Sequence, residues 1–232
     1  MIKKKIVITA GGTCEYIDDV RLITNISSGR LATAICDEFM KRILLENNNN
    51  NYEIVFIHGK FSETPKNINV RCIKITTTGE AMAKILEECI DADVIIHSMA
   101  VSDFGLRKLS GKLSSNSTES MLESMRERIF VNPKIINLIK NVNTSCYLVG
   151  FKFLSNATME QENEAINKLF ISANCDMIVY NDKKNINKDK HETSIYVKSE
   201  DKNLLFERLH INYTKEETAK YLADVIFPVP CI

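Results

Sequence analysis

The sequence predicts an α/β protein whose core is a three-layer, doubly wound, mostly parallel sheet of the Rossmann-like type. Short apolar segments of strand length alternate along the chain with longer segments of helical spacing, which is typical of parallel βαβ units. The first apolar segments also lack polar–apolar alternation, so they fit strands that are buried on both faces. Sheets of this class bind ligands at the carboxyl ends of their strands, and we expect the site there.

The first half of the chain opens on a strand and continues with two helical segments. The helix over 31–45 follows from the spacing of Ile35, Phe39 and Ile43, and the helix over 79–89 from Met82 and Leu86. Apolar runs between turn residues predict the strands. In chain order the elements are strand 5–10, helix 31–45, strand 52–57, strand 70–75, helix 79–89 and strand 93–98.

The second half repeats the pattern and ends on a helix. Pro133 is placed at the start of a helix, where its missing N–H is not needed. In chain order the elements are helix 133–140, strand 147–152, helix 159–172, strand 175–180, strand 194–198 and helix 215–226.

Three segments interrupt this rhythm. Residues 47–51 are five consecutive asparagines, which we interpret as a tolerated surface loop. Residues 104–128 contain few apolar side chains and no clear period, so they are interpreted as a long loop that acts as a flexible flap. Residues 181–192 are rich in Lys, Asn and Asp and are interpreted as a solvated connection. The chain has no internal repeat, and we expect one domain over 1–232.

Composition excludes several classes of protein. The 232 residues include 30 Lys plus Arg and 30 Asp plus Glu, and this zero balance argues against a general nucleic-acid binder. No apolar run approaches the roughly 20 residues of a membrane span. The seven cysteines form no Cys-x-x-Cys pair, so neither a zinc site nor a disulfide framework is indicated. We therefore expect reduced thiols and a cytoplasmic location.

The first chemical signal is a glycine turn followed by a polar loop. Gly11 and Gly12 end the first predicted strand and permit a tight turn close to a phosphate, although the G-x-G-x-x-G fingerprint is absent. Residues 21–30 precede the next helix. Ser27 and Ser28 could cap that helix, while its free N–H groups favour an anion. The alternative is a capped helix with surface arginines; the whole cluster favours anion binding. Its further donors are Arg21, Asn25 and Arg30.

The second signal is an apolar strand that runs into a polar turn. Asp103 lies past the carboxyl end of the strand over 93–98, where it could hold a ribose hydroxyl, a base amino group or a metal ion. A cap of a helix or turn is the alternative for a single Asp. His97 is better interpreted as a satisfied core histidine than as a catalytic one.

Together these blocks resemble the phosphopantothenate–cysteine ligase family, often called CoaB, over nearly the whole chain and in family order. Because the first strand begins within ten residues of Met1, the resemblance implies the stand-alone form, without the flavin-dependent decarboxylase that precedes many bacterial members. The matching blocks are Ile8-Thr9-Ala10-Gly11-Gly12-Thr13, Asp19-Val20-Arg21 through Ser27-Ser28-Gly29, His97 through Phe104, Gly111-Lys112-Leu113-Ser114-Ser115, Asn132-Pro133-Lys134-Ile135-Ile136, Gly150-Phe151-Lys152 and Asp176 through Asp182.

The resemblance implies a reaction and a set of site residues. The family joins 4′-phosphopantothenate to L-cysteine by way of an acyl-nucleotide, using CTP or ATP with Mg²⁺, and is typically a homodimer. By resemblance, Lys112 contacts the nucleotide phosphates, Asn25 holds the intermediate and Arg21 supports the second half-reaction. The Mg²⁺ ligands remain unassigned. Asn25 and Ala100 are implied to bind substrate; the implied nucleotide-binding residues are Gly11, Gly12, Ser27, Ser28, Gly29, His97, Ser98, Met99, Asp103, Lys112, Pro133, Lys134, Ile135, Ile136 and Phe151.

The chain departs from the family pattern in two places. CTP-dependent bacterial members carry two lysines four residues apart on the helix before the Asp176 strand. Here those positions are Leu169 and Ala173, and Lys168 is expected to point elsewhere by one helical step of about 100°. The segment after Gly150 resembles the eukaryotic, ATP-dependent style. The choice between CTP and ATP stays open, with CTP slightly favoured.

Two other classes of function are alternatives to the ligase. An NAD(P)-dependent oxidoreductase would need G-x-G-x-x-G and an acidic residue after the second strand, whereas His58-Gly59-Lys60 stands there; Lys60 could hold a 2′-phosphate. A non-catalytic nucleotide-binding module would be expected to lack Lys112 or Asn25, and both are present.

Overall fold

The computed structural model describes residues 3–45, 51–113, 117–199 and 205–227. Residues 47–50 of the asparagine run, Ser114 and Ser115 of the flap block, and Cys231 lie outside these ranges. In the described residues the strands are β1 (Lys4–Ala10), β2 (Cys14–Tyr16), β3 (Leu22–Thr24), β4 (Tyr52–Gly59), β5 (Arg71–Ile75), β6 (Val94–His97), β7 (Phe104–Leu106), β8 (Ile129–Val131), β9 (Tyr147–Leu154), β10 (Met177–Asp182), β11 (Thr193–Lys198) and β12 (Phe206–Asn212). The helices are α1 (Arg30–Leu45), α2 (Thr78–Cys89), α3 (Thr118–Arg126), α4 (Ile136–Val142), α5 (Met159–Ala173), α6 (Lys215–Ile226) and a 3-10 turn, Lys183–Asn185.

A single eight-stranded sheet organises the described residues. Its order is β12-β11-β10-β9-β6-β1-β4-β5. The six strands from β10 to β5 run parallel to their neighbours, and β11 and β12 join at one edge through antiparallel pairs. The predicted fold class, a doubly wound and mostly parallel sheet, is confirmed.

Helices cover both faces of the sheet, which gives the three predicted layers. Alternate β1 side chains serve opposite faces: Ile6 and Ile8 pack in the cluster with α1 and α6, and Val7 packs in the cluster with α2, α4 and α5. All three are 0% exposed. Burying such side chains contributes about 1.5–3 kcal/mol each, which explains an apolar strand without alternation. Among the described residues, no helix combines the length and apolar character that crossing a bilayer requires.

The connections place a switch point beside β1. From β1 the chain moves outward through β4 to β5, and then returns to β6 on the other side of β1. The connections that leave β1 and β6 therefore diverge at their carboxyl ends and open a crevice there. This is where open α/β sheets bind ligands.

One predicted helix start and one predicted helix cap were wrong. α4 begins at Ile136 rather than at Pro133. The Asn132 N–H donates to the Asp103 carbonyl at 2.9 Å, and the Asn132 side chain donates to the Ser102 carbonyl at 3.1 Å. These bonds hold the preceding segment against the loop after β6. The residue before α1 is Gly29 rather than Ser27 or Ser28, so a glycine stands where a serine cap was predicted.

The interpretation of 104–128 as a long loop was also wrong. Strand β7 lies within it and pairs with β8, and α3 stands between them, capped by the Ser117 side chain. Every residue of α3 is exposed or half-buried, so its apolar side chains Met121, Leu122 and Met125 form no buried stripe. β2 and β3, which pair with each other, were not predicted because each has only three residues. The segment 181–192, interpreted as a solvated connection, includes the 3-10 turn.

A buried carboxylate fixes the carboxyl end of β10. Asp182 is 1% exposed and accepts N–H groups from Asn156, Ala157 and Lys184 at 2.8–2.9 Å. Burial alone raises its pKa, but these backbone donors, together with the Tyr180 hydroxyl, outweigh it and lower the pKa to about 2. Asp182 thereby ties β10 to the turn that follows β9, where Asn156 has a left-handed φ of 56°.

Replacing this carboxylate should destabilise the fold in a pH-dependent way. We expect Asp182→Asn to lower the free energy of unfolding by about 2 kcal/mol at pH 7, since one carboxylate oxygen becomes an NH2 group that cannot accept from the buried donors. The native pKa lies below the ordinary 3.8, so the stabilisation is present above pH 3.8 and is lost as pH falls towards 2. Urea unfolding from pH 7 to 2 measures this. Asp189→Asn, on the exposed loop, is the control, and equal stability of the two variants at pH 7 would contradict the assignment.

Candidate active site at the switch point

Hydrogen bonds join the loops that leave β1 and β6. Gly12 forms an isolated parallel bridge with Ala100. The Ala100 N–H donates to the Gly11 carbonyl at 2.8 Å, and the Thr13 N–H donates to the Ala100 carbonyl at 3.2 Å. The Asn25 Nδ2 donates to the same carbonyl at 2.9 Å. The two residues implied to bind substrate, Asn25 and Ala100, are therefore in direct contact.

The glycines at this corner are required by close packing. A Cβ on Gly12 would lie 2.7 Å from the Asn25 carbonyl oxygen. Gly29 has φ +73°, and a Cβ there would lie 2.0 Å from the Ser62 Oγ. Backbone can approach backbone here only without side chains, which explains the glycine turn on physical grounds.

Two clefts open at this edge of the sheet. The first, of about 240 Å³, lies between the loop after β6, the start of α4, β9 and α5, and we call it the α4–α5 cleft. The second, of about 460 Å³, lies at the start of α1 and extends to β10 and α6, and we call it the α1 cleft. They meet at a junction whose residues line both: Met99, Asp103, Lys134, Phe151 and Lys152.

Most of the predicted site residues line these clefts. From the implied nucleotide-binding set, His97, Met99, Asp103, Pro133, Lys134, Ile135, Ile136 and Phe151 line the α4–α5 cleft. The α1 cleft is lined by Gly11, Ser27, Ser28, Gly29, Ser98, Met99, Ala100, Asp103, Lys134 and Phe151. Four predicted site residues line neither cleft: Gly12, Asn25, Arg21 and Lys112. Gly12 and Asn25 contact Ala100, which does line the α1 cleft.

Arg21 and the flap segment share one buried carboxylate. Asp18 accepts from the Arg21 Nε at 2.9 Å and Nη2 at 2.5 Å, and from the Leu113 N–H at 2.9 Å. The hydrogen bonds from the Arg21 side chain contribute most, and together with the backbone donors they hold the Asp18 pKa far below its usual range. Gly111 is anchored likewise, because its N–H donates to the Asp19 carboxylate at 2.6 Å. Lys112 stands between these two anchored residues, exposed to solvent.

His97 has the features of the core histidine that the sequence favoured. It is 6% exposed, and its Nδ1 lies 3.1 Å from the Thr9 Oγ1. Burial lowers its pKa to about 4, so the ring is neutral at pH 7. Its ring therefore contributes shape and hydrogen bonding, rather than charge, to the α4–α5 cleft.

The clefts also contain side chains that sequence reasoning missed. Lys152 lines both clefts, and Asn181, His191 and Lys215 line the α1 cleft. Lys168 was expected to point elsewhere, but it lines the α4–α5 cleft beside Leu169, because one wide cleft spans adjacent positions of α5. For Lys152 and Asn181 the available signal was their position in the last residues of β9 and β10, since the carboxyl edge of the sheet was already expected to carry the site.

Charges in the clefts are partly neutralised by partners. Lys134 is ion-paired with Asp103, and Arg30 donates to Glu63 at 2.6 Å. Within the described ranges, no group of three or more His, Cys, Asp or Glu side chains could hold a metal ion. Lys60, the predicted 2′-phosphate ligand, lies 5.7 Å from the Tyr16 ring centre and lines neither cleft.

The fold and this site define an open-sheet α/β protein whose ligand crevice lies at the switch point of the sheet. The family model for the DNA/pantothenate metabolism flavoprotein C-terminal domain matches residues 1–229, and the chain belongs to this family. The family-level resemblance drawn from the sequence is thereby confirmed.

Three relatives illustrate the similarity. The coenzyme A biosynthesis bifunctional protein CoaBC of Thermococcus kodakarensis is 30% identical over 225 residues, which cover 96% of this chain and 51% of that protein. Its namesake from Methanocaldococcus jannaschii is 32% identical over 181 residues, 77% of this chain and 40% of that protein. The crystal structure of the DNA/pantothenate metabolism flavoprotein from Streptococcus pneumoniae has a TM-score of 0.77 and 30% identity, covering 96% of this chain and 98% of that one. The chain spans about half or less of the length of the two curated relatives.

The shared carboxylate makes a prediction about the flap segment. Asp18→Asn weakens the bonds to Arg21 and to the Leu113 N–H, so we expect tryptic cleavage after Lys112 to become about tenfold faster. Timed digestion under native conditions, followed by mass spectrometry, measures this rate. Asp37→Asn on exposed α1 is the control, and an unchanged rate at Lys112 in Asp18→Asn would refute the anchoring role.

Proposed function

We propose that the protein is a phosphopantothenate–cysteine ligase of coenzyme A biosynthesis. The observation that carries the proposal is the junction, where one cleft suited to a nucleotide meets another suited to a second anionic substrate. The family match over 1–229 and relatives named for coenzyme A biosynthesis support it. The substrates are 4′-phosphopantothenate, L-cysteine and a nucleoside triphosphate.

The proposed chemistry proceeds in two steps. A carboxylate oxygen of phosphopantothenate bonds to the α-phosphorus, and the bond from that phosphorus to the bridging oxygen breaks, releasing pyrophosphate. The cysteine amine then bonds to the acyl carbon, the nucleoside monophosphate leaves with its electron pair, and the amine proton passes to solvent. The first step gathers negative charge, so positively charged groups and backbone donors at the junction supply its stabilisation.

The site residues take roles that fit their positions. We assign to Asn25, which donates to the Ala100 carbonyl, the role of holding the acyl-nucleotide, and to Phe151 that of an aromatic face at the junction. Lys112, on the anchored flap segment, reaches the phosphates, while Arg21 supports the second step from its place on Asp18. Exposure at Lys112 is consistent with a group that acts on a ligand bound against the sheet.

Mg²⁺ fits the site as a companion of the nucleotide. Asp103 is the acidic side chain among the junction residues, and its partner is Lys134. Mg²⁺ is commonly held by substrate phosphates with one or two carboxylates and waters, which requires no larger protein cluster. The ion would be held by the triphosphate with Asp103, and it would supply charge neutralisation. The nucleotide is CTP or ATP. CTP-dependent members carry lysines at the positions of Leu169 and Ala173, so the sequence does not decide between the two nucleotides.

Pyrophosphate release tests the proposal. With Mg²⁺ and 4′-phosphopantothenate, we expect cysteine-dependent turnover with CTP or with ATP, and the coupled amide by mass spectrometry. Lys112→Ala should retain nucleotide binding and lose about 100-fold in the rate of product formation. Lys84→Ala, on exposed α2, is the matched control. A folded protein that turns over neither nucleotide would exclude the ligase and leave the binding-module alternative.

We also propose that the protein is a homodimer. The β7–β8 hairpin and α3 project apolar side chains to solvent: Leu122 is 58% exposed, Ile129 50%, Phe130 44% and Val131 86%. Several exposed apolar side chains on one short segment of a chain favour an interaction site there. A second copy of the chain is the occupant that the family resemblance implies.

A charge on this hairpin should separate the copies. We expect Val131→Asp to weaken self-association about 100-fold without loss of fold, because Val131 is already exposed in the single chain. Analytical ultracentrifugation over a concentration series measures the effect. Ile68→Asp, at a site 95% exposed elsewhere, is the control. A monomeric parent protein at all concentrations would rule the dimer out.

A further inference from the structure

One cation at the junction has no partner to neutralise it. Lys152 lines the α4–α5 cleft, the α1 cleft and a third, shallower depression beside α5. In the described part of the chain, its ammonium forms neither an ion pair nor a hydrogen bond. Among the basic neighbours, Lys134 is paired with Asp103 and Arg30 with Glu63, whereas Lys168 and Lys215 lie further along the walls and outside the junction.

The position of Lys152 in the sheet explains why it faces the junction. Lys152 belongs to β9 and pairs with Tyr180 of β10, two residues past the register match of Gly150 with Ile178. β9 lies next to β6, whose carboxyl end carries the loop to Asp103. The strand therefore fixes the backbone of Lys152 beyond the end of β6, at the point where the two clefts meet.

The proposed reaction favours a further cation at the junction, beside the Mg²⁺ that accompanies the nucleotide. The reaction of the proposed function brings a carboxylate against a triphosphate, two anions that repel each other. We propose that Lys152 is a catalytic residue that contacts the α-phosphate and the attacking carboxylate together and neutralises the charge that gathers between them. This inference rests on the proposed ligase function. Lys152 remains protonated throughout, and the bonds that form and break are those already given for the first step.

The electrostatic surroundings suit this role. The pKa of Lys152 is lowered mainly by burial. The positive charges of Lys134 and Lys168 lower it further, while the Asp103 carboxylate raises it. The other titratable side chains lining the same clefts and the depression are His97, Glu164, His191, Arg30 and Lys215. A half-buried, unpaired ammonium is poorly solvated, so an anion that reaches it gains more than at a solvated lysine.

Single-turnover kinetics without cysteine test this role, using Lys152→Met, Lys152→Arg and Lys220→Met. We expect Lys152→Met to slow pyrophosphate release about 100-fold while the KM for nucleotide changes only a few-fold. Lys152→Arg should recover much of the rate. Lys220→Met, on the exposed face of α6, should match the parent protein.

The pH profile separates charge from structure. As pH rises through the lowered pKa of Lys152, the parent protein should lose its rate, because the neutral amine no longer attracts the anions. Lys152→Arg should move this alkaline limb to higher pH, which a merely structural lysine would not do. An unchanged rate in Lys152→Met, or an alkaline limb that stays fixed in Lys152→Arg, would overturn the assignment.

Binding of a nucleoside monophosphate, which carries the α-phosphate, distinguishes failure of this inference from failure of the ligase function. If the parent protein shows no turnover, the ligase proposal fails, and calorimetry with CMP and with AMP still tests the cation. We expect Lys152→Met to weaken binding of the monophosphate about tenfold relative to the parent protein and to Lys220→Met. Equal affinity in all three proteins, or no binding by any of them, would remove Lys152 from the anion site.

Discussion

The site depends on one constraint: the backbones that leave β1 and β6 must touch. Gly12 and Ala100 continue the parallel pairing past the end of the sheet, and the Ala100 carbonyl accepts from both Thr13 and Asn25. Asn25, which is held against Ala100, leaves no room for a Cβ at Gly12. It also brings the polar loop before α1 over the loop after β6, so residues distant in sequence form the walls of common clefts.

Much of the fold could be predicted because its main elements bury apolar side chains in regular patterns. β1 is apolar on both faces since helices cover both faces, and α1 buries Ile35, Phe39 and Ile43 along one stripe, as the spacing indicated. α3 could not be found this way, because it is stabilised by its cap and its neighbours and has no buried stripe. Three-residue strands such as β7 are likewise too short to display a period.

Sequence reasoning found residues that line the clefts where backbone conformation or block order constrained them, as at Gly11, Gly29 and Phe151. Lys152 lacked such a signal. In the sequence, Lys152 differs from the bacterial family pattern directly after the matching Gly-Phe pair. The proposed role of Lys152 depends on the absence of an ion-pair partner and on its place where two clefts meet, and only the tertiary structure shows these. Lys168 shows the reverse error: a helical step of about 100° still leaves two neighbours on the wall of a wide cleft.

The Asp18 carboxylate has one further consequence. It binds Arg21 and the Leu113 N–H at once, and Arg21 also donates to the Leu113 carbonyl at 2.8 Å. The position of Arg21 and the position of the flap segment at Leu113 are thus energetically coupled, and such coupling is reciprocal. Any ligand that draws Arg21 away from Asp18 loosens the flap, and any ligand that lifts the flap frees Arg21 by the same free energy. The two segments that Asp18 joins are therefore coupled without any movement of the sheet.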